Sequence, residues 1–208
     1  MSPAKIRLSA QELELVANAE LILTKNRIVE KALQLLGQVQ ERQELLLKTY
    51  AGKLPEEVLS SSPKISRGEQ LQGLPYLVLD YPRVFTQDHF FAIRSLFWWG
   101  RFFSITLHLS GRYQALFRQA IVAAYPHWSE KGWHLAGEGD PWQHDFLHNY
   151  YKPVAILDAA QMQQHLSGPF LKLALYWPLS EWDNAVDHFD HAFRDLLAGL
   201  QTDLMFNQ

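Results

Sequence analysis

Residues 74–111 read LPYLVLDYPRVFTQDHFFAIRSLFWWGRFFSITLHLSG and hold much of the apolar mass that this chain must bury. Tyr76 to Tyr81 is a nearly continuous apolar run ended by Pro82, the pattern of a strand covered on both faces. Thr86 offers an N-cap hydroxyl and Asp88 a first-turn carboxylate, so a helix is predicted to start there. Phe90, Ile93, Arg94 and Phe97 then fall at i, i+3, i+4 and i+7, and Gly100 stands where a left-handed residue would end the helix. From Phe102 the period becomes two. Phe103, Ile105, Leu107 and Leu109 point one way, and Ser104, Thr106, His108 and Ser110 the other. A strand, a helix and a strand sharing one sheet would make a βαβ crossover.

Working outward, 208 residues with 48% hydrophobic content suit a single large domain, or one domain with an appendage. Seven Trp, eight Tyr and twelve Phe supply rigid apolar area for a large core or for an aromatic-lined pocket or interface. A net charge of −3 with no basic block leaves no electrostatic footprint for nucleic acid. The opening MSPAKIRLSAQELE lacks an apolar signal region, and no uncharged apolar run is long enough to cross a bilayer. The expectation is a soluble, cytoplasmic protein without a membrane span. The absence of cysteine excludes disulfides, thiolate metal sites and cysteine nucleophiles.

On this reading residues 1–52 form an N-terminal helical arm, 53–73 a linker rich in Pro, Gly and Ser, and 74–208 an α+β domain. Ser9 and Glu12 make a capping box for a first helix, the polar residues 24–26 break it, and a second helix runs from Arg27 to Tyr50. Ile28, Ala32, Leu35, Val39 and Leu46 give that second helix a seam able to pair with the first helix, with the body or with a second copy. Downstream, the patterns predict a helix ending before Pro126 and a strand over 132–138. A helix started by Asp140 and Pro141 follows, then a strand over 154–157 and a helix capped by Asp158 and Gln161. A strand over 170–177 and a helix begun by Ser180 and Asp183 end the chain. The fold class is therefore α+β, with a mixed or largely antiparallel sheet and helices packed mainly on one face.

Three groups of residues could carry chemistry. His144-Asp-Phe-Leu-His148, set on the expected helix, would put two imidazoles on one face, one turn apart. Over five residues it resembles the HExxH motif of zinc metallohydrolases, with Asp145 where that motif has glutamate. The resemblance implies a zinc-like divalent ion on His144 and His148, Asp145 acting on the bound water, and a third ligand from Glu138, Asp187, His188 or His191. The other reading is a polar helix face. The second group, Asp187 to His191 with Arg194, reads as a solvated face supported by i,i+4 pairs. In the third, Thr106, His108, His134, Glu138, Lys172 and Tyr176 point away from the apolar side of their strands. If those strands are neighbours they make a polar floor, and aromatic residues from loops would make it a ligand pocket. No phosphate loop or serine-hydrolase elbow occurs. The function expected is binding or assembly, with the arm contacting a second copy or a protein partner and a small-molecule ligand unidentified. The alternative is a metal-dependent hydrolase.

Overall fold

The computed structural model describes residues 6–146 and 150–201. Seven strands form one open sheet: β1 (Lys64–Leu71), β2 (Leu74–Phe85), β3 (Phe90–Trp98), β4 (Phe102–Ser110), β5 (His134–Ala136), β6 (Tyr151–Pro153) and β7 (Phe170–Pro178). Their order is β1-β2-β3-β4-β7-β5-β6, and every pairing is antiparallel. The helices are α1 (Ala10–Ala17), α2 (Ala19–Leu47), the single turn α3 (Glu56–Leu59), α4 (Arg112–Glu130), α5 (Ala159–Ser167) and α6 (Ala185–Gly199). The chain is α+β, as the sequence implied.

Residues 74–111 are two hairpins, not a crossover around a helix. The expected helix over 90–97 is β3, paired with β2 on one side and β4 on the other. In a run this apolar the helical spacing is met by default, because a strand buried on both faces also places large residues at those offsets. The capping signals act in turns instead. Thr86 Oγ1 accepts from His89 N at 3.1 Å and closes the β2–β3 turn. Gly100, with φ 67°, takes the left-handed position of the short β3–β4 turn. Pro82 does not end β2. It falls where the register with β3 shifts between Asp80 and Arg83, a place where no ladder N–H is required.

One face of the sheet holds the main core. Leu77, Leu79, Phe91, Ile93, Phe97, Phe103, Ile105, Leu107, Leu171 and Leu173 meet the apolar stripes of α2, α4, α5 and α6. Phe189, Phe193, Leu196 and Leu197 of α6 are fully buried there, which follows from their regular stripe. On α2, Ala32, Leu35, Leu36 and Val39 are buried, and Gln43 donates to Ser95 Oγ of β3 at 3.1 Å. The second half of the arm is thus part of the core.

Local expectations differ in six other places. The arm breaks at Asn18, whose side chain caps Leu21, and residues 24–26 are helical. The stretch read as a linker contains α3 and the edge strand β1. Helix α4 continues through Pro126 to bury Trp128. Residues 154–156 form a 3-10 turn after β6, and 179–184 form another before α6. Residues 141–146 are turn and coil, so the helix expected to carry the His144 motif is not formed among the described residues. The Pro141 turn instead places two backbone carbonyls, those of Pro141 and Gln143, against the buried Lys172. No helix among the described residues is long and apolar enough to cross a membrane.

Gly199 lets α6 approach α4, since a Cβ there would collide with the Trp128 ring and touch Ala124 Cβ at 3.0 Å. Gly199→Ala is therefore expected to lower unfolding stability by about 1–3 kcal/mol through overpacking, read from the urea midpoint.

Candidate functional site

The face opposite the helices is polar and nevertheless buried. Strand alternation and register set this up. Asp80 of β2 faces Arg94 of β3, Arg94 faces Thr106 of β4, and His108 faces Lys172 of β7. Ala174 of β7 pairs with both Thr106 and His134 of β5. Thr106, His108 and Lys172 are essentially inaccessible, His134 is half-buried and Tyr176 is exposed. The buried ones among them are covered by the segment that follows β5, from Gly137 to Phe146, as a roof.

Specific contacts hold the roof down. Lys172 Nζ donates to the carbonyls of Pro141 at 2.9 Å and Gln143 at 2.5 Å, with the Tyr150 and Tyr151 rings 5.7 and 5.5 Å away. Arg94 pairs with Asp80 at 2.6 Å, and its guanidinium lies 5.2 Å from the Trp142 ring. Gln72, in the β1–β2 turn, donates to Asp145 at 3.0 Å. Phe146 stacks on Tyr151 at 4.2 Å and packs against Tyr176 and Phe102. A cavity of about 240 Å³ remains between the sheet and the roof, lined by Tyr76, Val78, Arg94, Leu96, Trp142 and His144.

Burial dominates the electrostatics. It pushes the Lys172 ammonium down to about 7, with the Arg94 charge adding to the shift and Asp140 opposing it. His108 is pushed down to about 3 by burial and then by Lys172 and Arg94. His144 is held well below its usual range by the same causes, and His134 is lowered by burial. Burial raises the Tyr151 phenol well above its ordinary value and Tyr150 to about 12. At neutral pH both buried imidazoles are uncharged and Lys172 is poised between its two states.

The structure thus brings Thr106, His108, His134, Lys172 and Tyr176 to one face. Glu138 does not join them: it is exposed, accepts from Gln164 at 3.1 Å, and borders a separate cleft of about 330 Å³ beside α5. His144 lies over the floor in coil, next to Asp145, while His148 lies outside the described residues. His191 sits exposed on α6, across the sheet, where Asp187 pairs with Arg42 at 2.5 Å and His188 approaches Glu181 at 3.4 Å. Glu138 and the α6 residues are therefore not gathered around His144, and no group of three His, Asp or Glu among the described residues could hold a metal. Arg94, Asp80 and Trp142 were missed. Reading 90–98 with period two would have placed Arg94 beside Thr106.

A second candidate surface is the exposed part of the arm. No residue of α1 is buried, and the buried positions of α2 begin only at Ala32. Ile6, Leu8, Leu13, Leu15, Val16, Leu21, Ile22 and Leu23 are all exposed. No protein-family model matches the chain, and comparison with curated proteins and with solved structures finds no significant match.

Lysine in the unfolded chain titrates near 10.5, so between pH 7 and that value the unfolded state binds the extra proton and stability rises with pH. The urea midpoint is expected to climb from about pH 7 to about pH 9.5, and Lys172→Met is expected to lack that climb. Parallel slopes for the two proteins would contradict the buried, poised ammonium.

Proposed function

We propose that the protein is a non-enzymatic assembly protein that pairs with a second copy of itself through residues 6–31 of its arm. The observation that supports this is the run of large apolar side chains left exposed on ordered helix, from Leu13 to Leu23. Large apolar side chains exposed in such number are kept where another surface covers them. The charge pattern favours a second copy as the occupant. Residues 10–20 carry Glu12, Glu14 and Glu20 with no Lys or Arg, and residues 24–31 carry Lys25, Arg27 and Lys31 against Glu30. An antiparallel, twofold pairing sets each acidic half against the basic half of its partner. The surface pairs Arg27–Glu20 and Lys25–Glu69 stand in the way only weakly, because exposed ion pairs contribute little.

Removing residues 1–52 would not test this, since it also takes Leu36, Val39 and Leu47 out of the core. The triple variant Leu13→Gln, Val16→Gln, Leu21→Gln alters only exposed positions. Light scattering is expected to give a dimer for the natural chain. The variant should be a monomer with an unchanged circular dichroism spectrum, its dimer dissociation constant raised by at least about tenfold. A monomer in both cases would remove the proposal.

A further inference from the structure

His108 occupies a position that strand packing does not explain. Its side chain is fully buried, yet neither ring nitrogen has a hydrogen-bond partner among the described residues. Buried polar groups in folded chains are paired in the great majority of cases, and an unpaired imidazole costs stability. The ring is framed by aromatics, with Phe90 at 5.7 Å, Trp142 at 5.4 Å and Phe170 at 5.7 Å. It borders a cavity of about 260 Å³, bounded also by Ser110, Pro141 and Pro169, with the exposed Asp88 at the rim.

Each feature narrows the occupant. An apolar cavity of about 150 Å³ accommodates benzene, so this one has room for a single substituted ring. The walls of Phe90, Phe170, Pro141 and Pro169 suit a flat apolar body. A neutral imidazole offers one N–H donor and one acceptor, matching a hydroxyl that can use either. Neither sign of charge is favoured. Lys172 and Arg94 disfavour a further positive charge beside the ring, as they disfavour a charged imidazole, and Asp88 repels an anion at the rim.

We propose that this cavity binds a small uncharged aromatic molecule bearing one hydroxyl group, with a His108 ring nitrogen as its hydrogen-bond partner. The site lies across the sheet from the docked half of α2 and does not depend on self-association. Such a ligand satisfies the orphaned imidazole, and its removal leaves that group unpaired. A molecule of the same shape without the hydroxyl gains only the apolar contacts.

Phenol and toluene are a matched pair, differing by hydroxyl against methyl. Calorimetric titration of the full chain is expected to show saturable phenol binding at least about tenfold tighter than toluene, a preference lost in His108→Phe. In a proton–carbon spectrum of the histidine rings, phenol should shift the His108 signals selectively, a readout independent of whether the variant folds. Equal affinity for the two compounds, no saturation by phenol, an unmoved His108 signal, or a folded His108→Phe protein that keeps the preference would each overturn the proposal.

Discussion

A buried ammonium decides how the second face of this sheet is covered. Lys172 stands near the start of an interior strand and is almost wholly buried, where a charged side chain is costly to desolvate unless it is paired or hydrogen-bonded. Its partners are not side chains but two backbone carbonyls, those of Pro141 and Gln143, presented by a segment that has no regular structure. The lysine needs the turn, and the turn needs the lysine, because its carbonyls are turned inward away from water. Trp142, held over Arg94, and Phe146, stacked on Tyr151, fill the space on either side of that contact. Burial of His108, His144 and the tyrosines follows from the roof being in place, and so do the depressed imidazoles.

The two faces of the sheet therefore work by different physics. The helical face is an ordinary apolar core in which α2, α4 and α6 bury regular stripes. The roofed face is a layer of hydrogen bonds, ring contacts and one internal ion pair. Polar layers of this kind place their groups narrowly, since a displaced donor or acceptor is left without water or partner. That is why His108, unpartnered at both ring nitrogens among the described residues and set beside a cavity, carries information, whereas one more leucine on the opposite face would carry none. The arm belongs to neither layer beyond its docked half, which leaves its first helix free to meet another chain.

Much of this was legible in the residues. The alternation in Phe102–Ser110 and Phe170–Trp177 identified β4 and β7 and grouped Thr106, His108, Lys172 and Tyr176 on one side. The capping box at Asp158 and Gln161 marked α5, and the stripe from Phe189 to Leu200 marked α6. The failures share a cause. Where both faces are buried, as in Phe90–Trp98, a strand loses its alternation and satisfies helical spacing too, and local capping residues such as Thr86 then tip the reading the wrong way. Asp140 and Pro141 misled in the same manner: good helix-starting residues are also good turn residues, and the choice was made by Lys172, some thirty positions later, through a contact no local window contains. The roof, and with it the cavity at His108, could not be read without that long-range pairing.

Amide hydrogen exchange of residues 137–146 tests the role of Lys172 most directly. In Lys172→Met, with the methionine filling the space but unable to donate, the peptide covering Trp142 to Phe146 should take up deuterium markedly faster than in the natural chain, while peptides from α6 and β3 keep their protection. Unchanged uptake across the roof would show that its packing, and not the buried ammonium, holds the second face closed.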